Sequence, residues 1–167
     1  MVEHLSISGR VEIIKYDELG NIEKQIFHNV VTTQGSQLIA DSLTLTPVRQ
    51  KIDSTHGFMV LGTGWTGTNP AANSWVNTQV GNAHALYTNY PQLQSPWGQA
   101  NGNVVLYRAV FPAGSINAVN INEVALTTAS ASNTNTSCLA YAQITPPVTM
   151  SLFSTLEILW YISIVGT

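Results

Sequence analysis

The sequence predicts a mainly β protein, an antiparallel β-sandwich, jelly-roll-like, with an N-terminal β-hairpin and one short helix. Three observations carry this. Short runs of branched and aromatic residues recur along the 167-residue chain, and such residues suit a pleated, half-buried surface. The gaps between the runs are rich in Gly, Pro, Asn and Ser, which supply turn geometry. Charge is segregated: of 6 basic and 9 acidic side chains, only Arg108, Glu123 and Glu157 lie beyond residue 54.

Residues 5–16 alternate as a strand, with Val11, Ile13 and Lys15 on one side and Glu12, Ile14 and Tyr16 on the other. Asp17-Glu18-Leu19-Gly20-Asn21 has turn chemistry, and a second strand from Ile22 to Val31 completes a hairpin over residues 1–31. Residues 32–43 start with Thr and place Leu38, Ile39 and Leu43 at helical spacing, which predicts a short helix. Further strands are expected at Phe58–Leu61, Val104–Phe111, Ile121–Thr128, Leu139–Ile144 and Leu156–Val165. The last is the most apolar. It reads as the central strand, covered on both faces.

Residues 62–102 read as one long loop carrying Trp65, Trp75, Tyr87, Tyr90 and Trp97. Connections of that length are functional or contain local structure of their own. Because aromatic side chains are enriched at protein interfaces, these five are the interface candidates. The whole chain, 1–167, fits a single domain: about 150 residues suffice to bury roughly 70% of the unfolded surface.

Composition narrows the function. Acid–base, metal and phosphate chemistry draw on ionisable side chains, and the last 113 residues nearly lack them. The expectation is a protein that is not an enzyme and needs no cofactor. A net charge of −3 with no basic cluster argues against nucleic acid. The run Ile158–Ile162 is far shorter than the roughly 20 residues of a membrane-spanning helix, so no membrane is expected. Met1-Val2-Glu3-His4 has no secretory signal pattern. Cys138 is the only cysteine, which excludes an internal disulfide and suits a reducing cytoplasm.

Several motifs test that expectation. Gly62-Thr63-Gly64-Trp65-Thr66-Gly67 matches the dinucleotide fingerprint, but Thr68-Asn69-Pro70 follows where a helix should open, and no acidic residue occurs between Asp53 and Glu123. A glycine-rich turn is the expected reading. Glu123 and Glu157 could form a glycosidase-type carboxylate pair, yet both sit within strand patterns, which favours structural roles. Arg108, the only cation in this half, is expected to pair with Glu123 or Glu157, because an isolated buried charge is costly. His4, His28, His56 and His84 lack metal-ligand spacing, and Asp17, Glu18 and Asp53 lack that of a calcium loop. No Gly-x-Ser-x-Gly elbow occurs.

The order of segments resembles structural proteins of tailed bacteriophages. The matching pieces are the initial hairpin, Asn29-Val30-Val31-Thr32-Thr33-Gln34-Gly35 leading into Leu38-Ile39-Ala40-Asp41-Ser42-Leu43, and Met59-Val60-Leu61-Gly62-Thr63-Gly64. Val105 to Gly114, Ile121 to Leu126 and a closing Leu156 to Ile164 strand after Pro146-Pro147-Val148 continue it, over most of residues 5–165. The long aromatic loop and Ala125, where such proteins often carry glycine, depart from the pattern. The resemblance implies a β-sandwich virion component assembled in the host cytoplasm. It would be a capsid decoration (cement) protein bound to the major capsid protein, or a tail, baseplate or fibre module bound to tail proteins. The chain is short and has neither heptads nor internal repeats, which favours the decoration role, as a homo-oligomer of two or three copies. A carbohydrate-binding sandwich is the alternative from another class, since flat tryptophan rings suit sugar faces.

Overall fold

A computed structural model of the chain describes residues 5–94 and 102–166. Twelve residues, Leu5–Tyr16, form β1, whose Val11 and Ile13 are buried while Glu12 and Ile14 face the other way. The turn after it closes on Asp17, whose Oδ1 accepts from the backbone N–H of Leu19 at 2.9 Å and of Asn21 at 2.8 Å. Gly20 supplies a φ of +80° there, which disfavours any residue with a Cβ. The chain returns as β2 (Ile22–His28), then β3 (Val30–Val31) and helix α1 (Thr33–Ser42). Next come β4 (Phe58–Gly62), a 3₁₀ turn at Pro70–Ala72, β5 (Gln79–Ala85) and β6 (Gln92–Gln94). β7 (Val104–Phe111), β8 (Ala118–Thr127), β9 (Cys138–Met150) and β10 (Thr155–Gly166) complete the fold.

All strand pairs are antiparallel and form two five-stranded sheets. Sheet A has the order β2-β1-β10-β7-β6, and sheet B the order β3-β9-β8-β4-β5. Their inner faces share one core, to which sheet A contributes Val11, Ile13, Phe111, Ile158 and Trp160, and sheet B contributes Met59, Leu61, Val124, Leu126 and Ile144. Burying a large aliphatic or aromatic side chain contributes about 1.5–3 kcal/mol, so this cluster dominates stability. The molecule is therefore an antiparallel β-sandwich.

The Trp160 ring is wholly buried, and its indole N–H donates to Asn29 Oδ1 at 3.1 Å. Room for that amide exists because Gly9 lies beneath it: a Cβ there would fall 1.7 Å from the same oxygen. Thr32 caps α1. Its Oγ1 accepts from the Gly35 N–H at 2.9 Å and donates to the Cys138 carbonyl, tying the helix to the start of β9. Gly35 permits the close approach, since a Cβ would lie 2.0 Å from the Leu139 carbonyl oxygen.

Four expectations need correction. The strand read from Ile22 to Val31 breaks at Asn29, where the chain leaves sheet A for sheet B. The strand read as Leu139–Ile144 runs on to Met150 through Pro146 and Pro147. Those prolines are tolerated because β3 pairs with β9 only at Ala140 and Tyr141, leaving that edge open beyond them. The 62–102 segment is not one loop, since β5 and β6 lie in it; neither strand has the branched, aromatic composition that marks the others. β10 is central in its sheet, but its outer residues Leu159 and Tyr161 are only half-buried. β1–β2, β4–β5, β6–β7 and β8–β9 each pair within one sheet. The described residues thus form a ten-stranded antiparallel sandwich with one short helix, as the sequence predicts.

Candidate functional site

The outer faces of the two sheets are built differently. On sheet B, residues 63–78 fold back over the strands and enclose a second small core. Val60, Ala125, Cys138 and Tyr141 from the sheet pack with Val76, Trp65 and Trp75 from the covering segment. The Trp65 ring stacks on Tyr141 with centroids 5.1 Å apart and planes at 25°. Trp75 is fastened through its indole N–H to Gln79 Oε1 at 3.1 Å. Both tryptophans, candidates for an external interface in the sequence, are thus half-buried within their own chain.

Glu123 holds this cover down. It is fully buried, and its Oε1 accepts from the N–H groups of Gly64 at 2.8 Å and Thr78 at 3.0 Å. Oε2 accepts from the Asn77 N–H at 3.0 Å and from the Tyr141 hydroxyl. Burial, and then the carboxylate that takes its hydrogen bond, push the Tyr141 hydroxyl well above the usual tyrosine range. Next to Glu123, Asn122 Oδ1 accepts from the Trp65 N–H at 3.0 Å. Gly62 makes the space, because a Cβ would lie 2.4 Å from Glu123 Oε1. The Gly62–Gly67 motif is therefore a turn whose Gly64 amide meets an internal carboxylate. With four donors in place, this carboxylate works as a clasp, in a position where a general base would need a lone pair facing substrate.

Glu157 lies on the opposite side of the molecule, on the outer face of sheet A. The two sheets, about 10 Å apart in such sandwiches, separate it from Glu123, so the two carboxylates do not flank a common bond. Arg108 Nε donates to Glu157 Oε1 at 2.6 Å, and the Tyr16 hydroxyl donates to Oε2 at 3.3 Å. The Arg108 guanidinium stands 4.3 Å from the centroid of Tyr87 and 6.0 Å from that of Tyr90. The hydrogen bond to Glu157 holds the guanidinium's pKa above its ordinary value.

A second array of the same kind lies on β1, β2 and β10. Arg10 Nη2 is 3.0 Å and Lys24 Nζ 2.8 Å from the Glu12 carboxylate, and Arg10 stands 4.5 Å from the centroid of Tyr161. Between the arrays lie the half-buried aliphatics Ile14 and Leu159, with Val110 flanking Glu157 on β7. This face thus presents apolar side chains framed by tyrosine-stacked arginines whose charges are balanced in place, a composition enriched where proteins meet. Arg10, Glu12, Lys24, Tyr16 and Tyr161 went unnoticed as a group in the sequence. The alternation of β1 puts Arg10, Glu12, Ile14 and Tyr16 on one side, but only the register joins Arg10 to Tyr161 and Ile14 to Glu157.

Tyr87 and Tyr90 thus meet at Arg108, and the other expected residues are dispersed. Tyr87 is exposed between β5 and β6, and Tyr90 packs partly against the main core. Trp97 and His4 lie outside the described residues. His28, His56 and His84 stand apart, and among the described residues no three His, Cys, Asp or Glu side chains group as metal ligands. The Cys138 thiol is buried, which pushes its pKa up to about 12. Among the described residues no helix is long and apolar enough to cross a membrane.

Fold and surface together define an antiparallel β-sandwich with one outer face sealed by its own chain and the other left with an aromatic and arginine array. Compared with known proteins, the chain matches no family model, no curated protein and no solved structure.

Proposed function

We propose that this chain is a non-enzymatic structural protein of a virus particle: a decoration protein that binds the outside of an icosahedral shell, against the major capsid protein, and strengthens it. The observation that supports an assembly role is the outer face of sheet A, where Arg10 and Arg108 are stacked on tyrosines and balanced by Glu12 and Glu157 around an aliphatic centre. Charges already paired in place cost less to cover with a partner than lone charges, which would be buried without a counter-ion. The virion setting rests on the resemblance of the segment order to tailed-phage structural proteins. A protein that binds only the assembled shell stabilises it against opening, by linkage.

A density map of intact particles tests this, together with the heat resistance of shells stripped of the protein. Density over the shell surface is expected, and stripped shells should open at lower temperature. Tyr87→Ala and Ile26→Asp, both at exposed positions of the sheet A face, should prevent rebinding while leaving the fold intact. Density confined to the tail, or stripped shells as resistant as complete ones, would turn the assignment to the tail, baseplate or fibre alternative.

A further inference from the structure

The edge of a sheet offers unpaired backbone N–H and C=O groups to any other strand, and folded proteins blunt such edges. Among the described residues, three of the four edges of this sandwich are blunted. β6 is only three residues long. β5 carries Gly81 at a φ of +63°, and its ladder with β4 shifts register between Met59 and Leu61. On the other side of sheet B, β3 covers β9 at Ala140 and Tyr141 alone, and the edge beyond holds Pro146 and Pro147, which have no N–H to offer. The fourth edge, β2, has seven residues, Ile22–His28, without proline or glycine and in unbroken register with β1. Its two charged side chains are held within the chain, Lys24 by Glu12 at 2.8 Å and Glu23 by Lys15 at 3.8 Å.

Which backbone groups of β2 are free follows from the two ends of its ladder with β1. The Asp17 N–H donates to the Asn21 carbonyl at 3.0 Å, and the Asn29 N–H to the Gly9 carbonyl at 3.3 Å. Because an antiparallel ladder alternates, the odd-numbered residues of β2 bond to β1, and Ile22, Lys24, Ile26 and His28 turn their N–H and C=O groups to the open edge. None of these four has a backbone partner there among the described residues. Their side chains lie on the outer face of sheet A, with Ile22 66% and Ile26 54% exposed.

The strand is its own complement about its midpoint, Gln25. Laid antiparallel against a second β2 with the two Gln25 residues opposite each other, Ile22 meets His28 and Lys24 meets Ile26. All four outward residues of each copy then find partners, through about eight main-chain hydrogen bonds. No like charges meet. Centring the pair on Glu23 or Lys24 instead sets two carboxylates or two ammonium groups face to face, which is unfavourable, and centring it on Ile26 leaves Ile22 outside the ladder. Gln25 suits the axis because its amide both donates and accepts. Within one chain its Nε2 donates to Glu23 Oε1 at 2.7 Å, while its Oε1 has no donor among the described residues. Rotation about the last side-chain torsion, which is broad for Gln, brings that oxygen to the amide of the other copy.

We propose that β2 pairs with β2 of a second copy, two-fold and antiparallel about Gln25, joining the two A sheets into one of ten strands. The contact is isologous and closes as a dimer. Main-chain bonds carry the affinity, as in strand addition generally, and Ile22 and Ile26 gain cross-strand neighbours in place of solvent. The axis is normal to the sheet, so the outer faces of both copies point the same way and each dimer presents two arginine and tyrosine arrays side by side. This inference stands apart from the shell reading, since it concerns the purified protein with no particle present.

Sedimentation across a concentration series, combined with cysteine trapping, tests it. The wild-type mass should rise to that of a dimer and no further. Gln25→Cys should link into a covalent dimer on mild oxidation, because residues opposed at such a pair have Cα atoms about 4.5 Å apart, within disulfide reach. Glu23→Cys should stay unlinked, since the register sets that residue against Phe27 of the other copy, and the native Cys138 is buried. Ile26→Pro removes an outward N–H and should give a monomer with an unchanged far-UV spectrum, as proline is tolerated on an edge. The linking pattern of the two cysteine variants decides whether or not the proline variant folds. A wild-type monomer up to about 1 mM overturns the proposal. So does a dimer that folded Ile26→Pro leaves intact, or one in which Glu23→Cys links as fast as Gln25→Cys. If the free protein stays monomeric and the amides of Ile22, Lys24, Ile26 and His28 gain exchange protection only on shells, the edge belongs to another chain and the self-pairing is refuted.

Discussion

Gly9 shows how a missing methyl group sets the interior. Asn29 reaches over it to accept from Trp160, the largest wholly buried side chain. Gly9→Ala should displace that amide, cost about 1–3 kcal/mol through overpacking, and leave the indole N–H without its acceptor. Denaturant unfolding with tryptophan fluorescence as the probe reads both effects. His84 gives the molecule a pH response. Its ring lies 4.5 Å from that of Phe111, and burial lowers its pKa below the ordinary 6.5. The unfolded chain then takes up the proton first, so His84 stabilises the fold fully above pH 6.5, and this contribution is lost as the pH falls from there through the folded-state value. His84→Gln should flatten the decline in Tm just below pH 6.5.

Two elements depend on single side chains for their attachment. The 63–78 cover is held by Glu123, and Glu123→Gln replaces one acceptor oxygen with an N–H₂ that faces backbone donors. Hydrogen bonds to a charged group contribute about 1.5–3 kcal/mol, so a loss of about 3 kcal/mol is expected. Amide exchange should accelerate at Gly64, Asn77 and Thr78 while β8 and β9 stay protected. Equal acceleration throughout would show that the carboxylate supports the whole sandwich and not the cover alone. Helix α1 depends in the same way on Thr32. Thr32→Ala removes an N-cap and the donor to the Cys138 carbonyl, a loss of about 2 kcal/mol measured as a lower denaturation midpoint at constant m-value.

For the whole molecule the unequal treatment of the two outer faces matters most. Sheet B is covered by its own chain. Sheet A presents balanced charges and tyrosines. Contacts made through the sheet A face involve charges that are paired before binding, so detachment from shells should change little between low and high salt. Release of the protein from particles over a salt series checks this.

The fold class was legible in the sequence because short runs of branched and aromatic residues, alternating in β1 and more continuous in β4, β7, β8 and β10, stand out without knowledge of their partners. Thr32, with Leu38 behind it, marked α1 for the same local reason. The partner of Arg108 could be narrowed to two carboxylates by the scarcity of charge, but the choice of Glu157 needed the register of β10 against β7. What only the tertiary structure decided are features made by residues distant in sequence. β5 and β6 are strands because β4 and β7 offer them edges, not because of their composition. Trp65 and Trp75 face inward because Glu123, 58 residues beyond Trp65 in the sequence, clasps the segment that carries them. The arginine and tyrosine face of sheet A exists only when β1, β10 and β7 lie side by side. Periodicity reports which side of a strand is buried, whereas pairing between distant strands decides what that side meets.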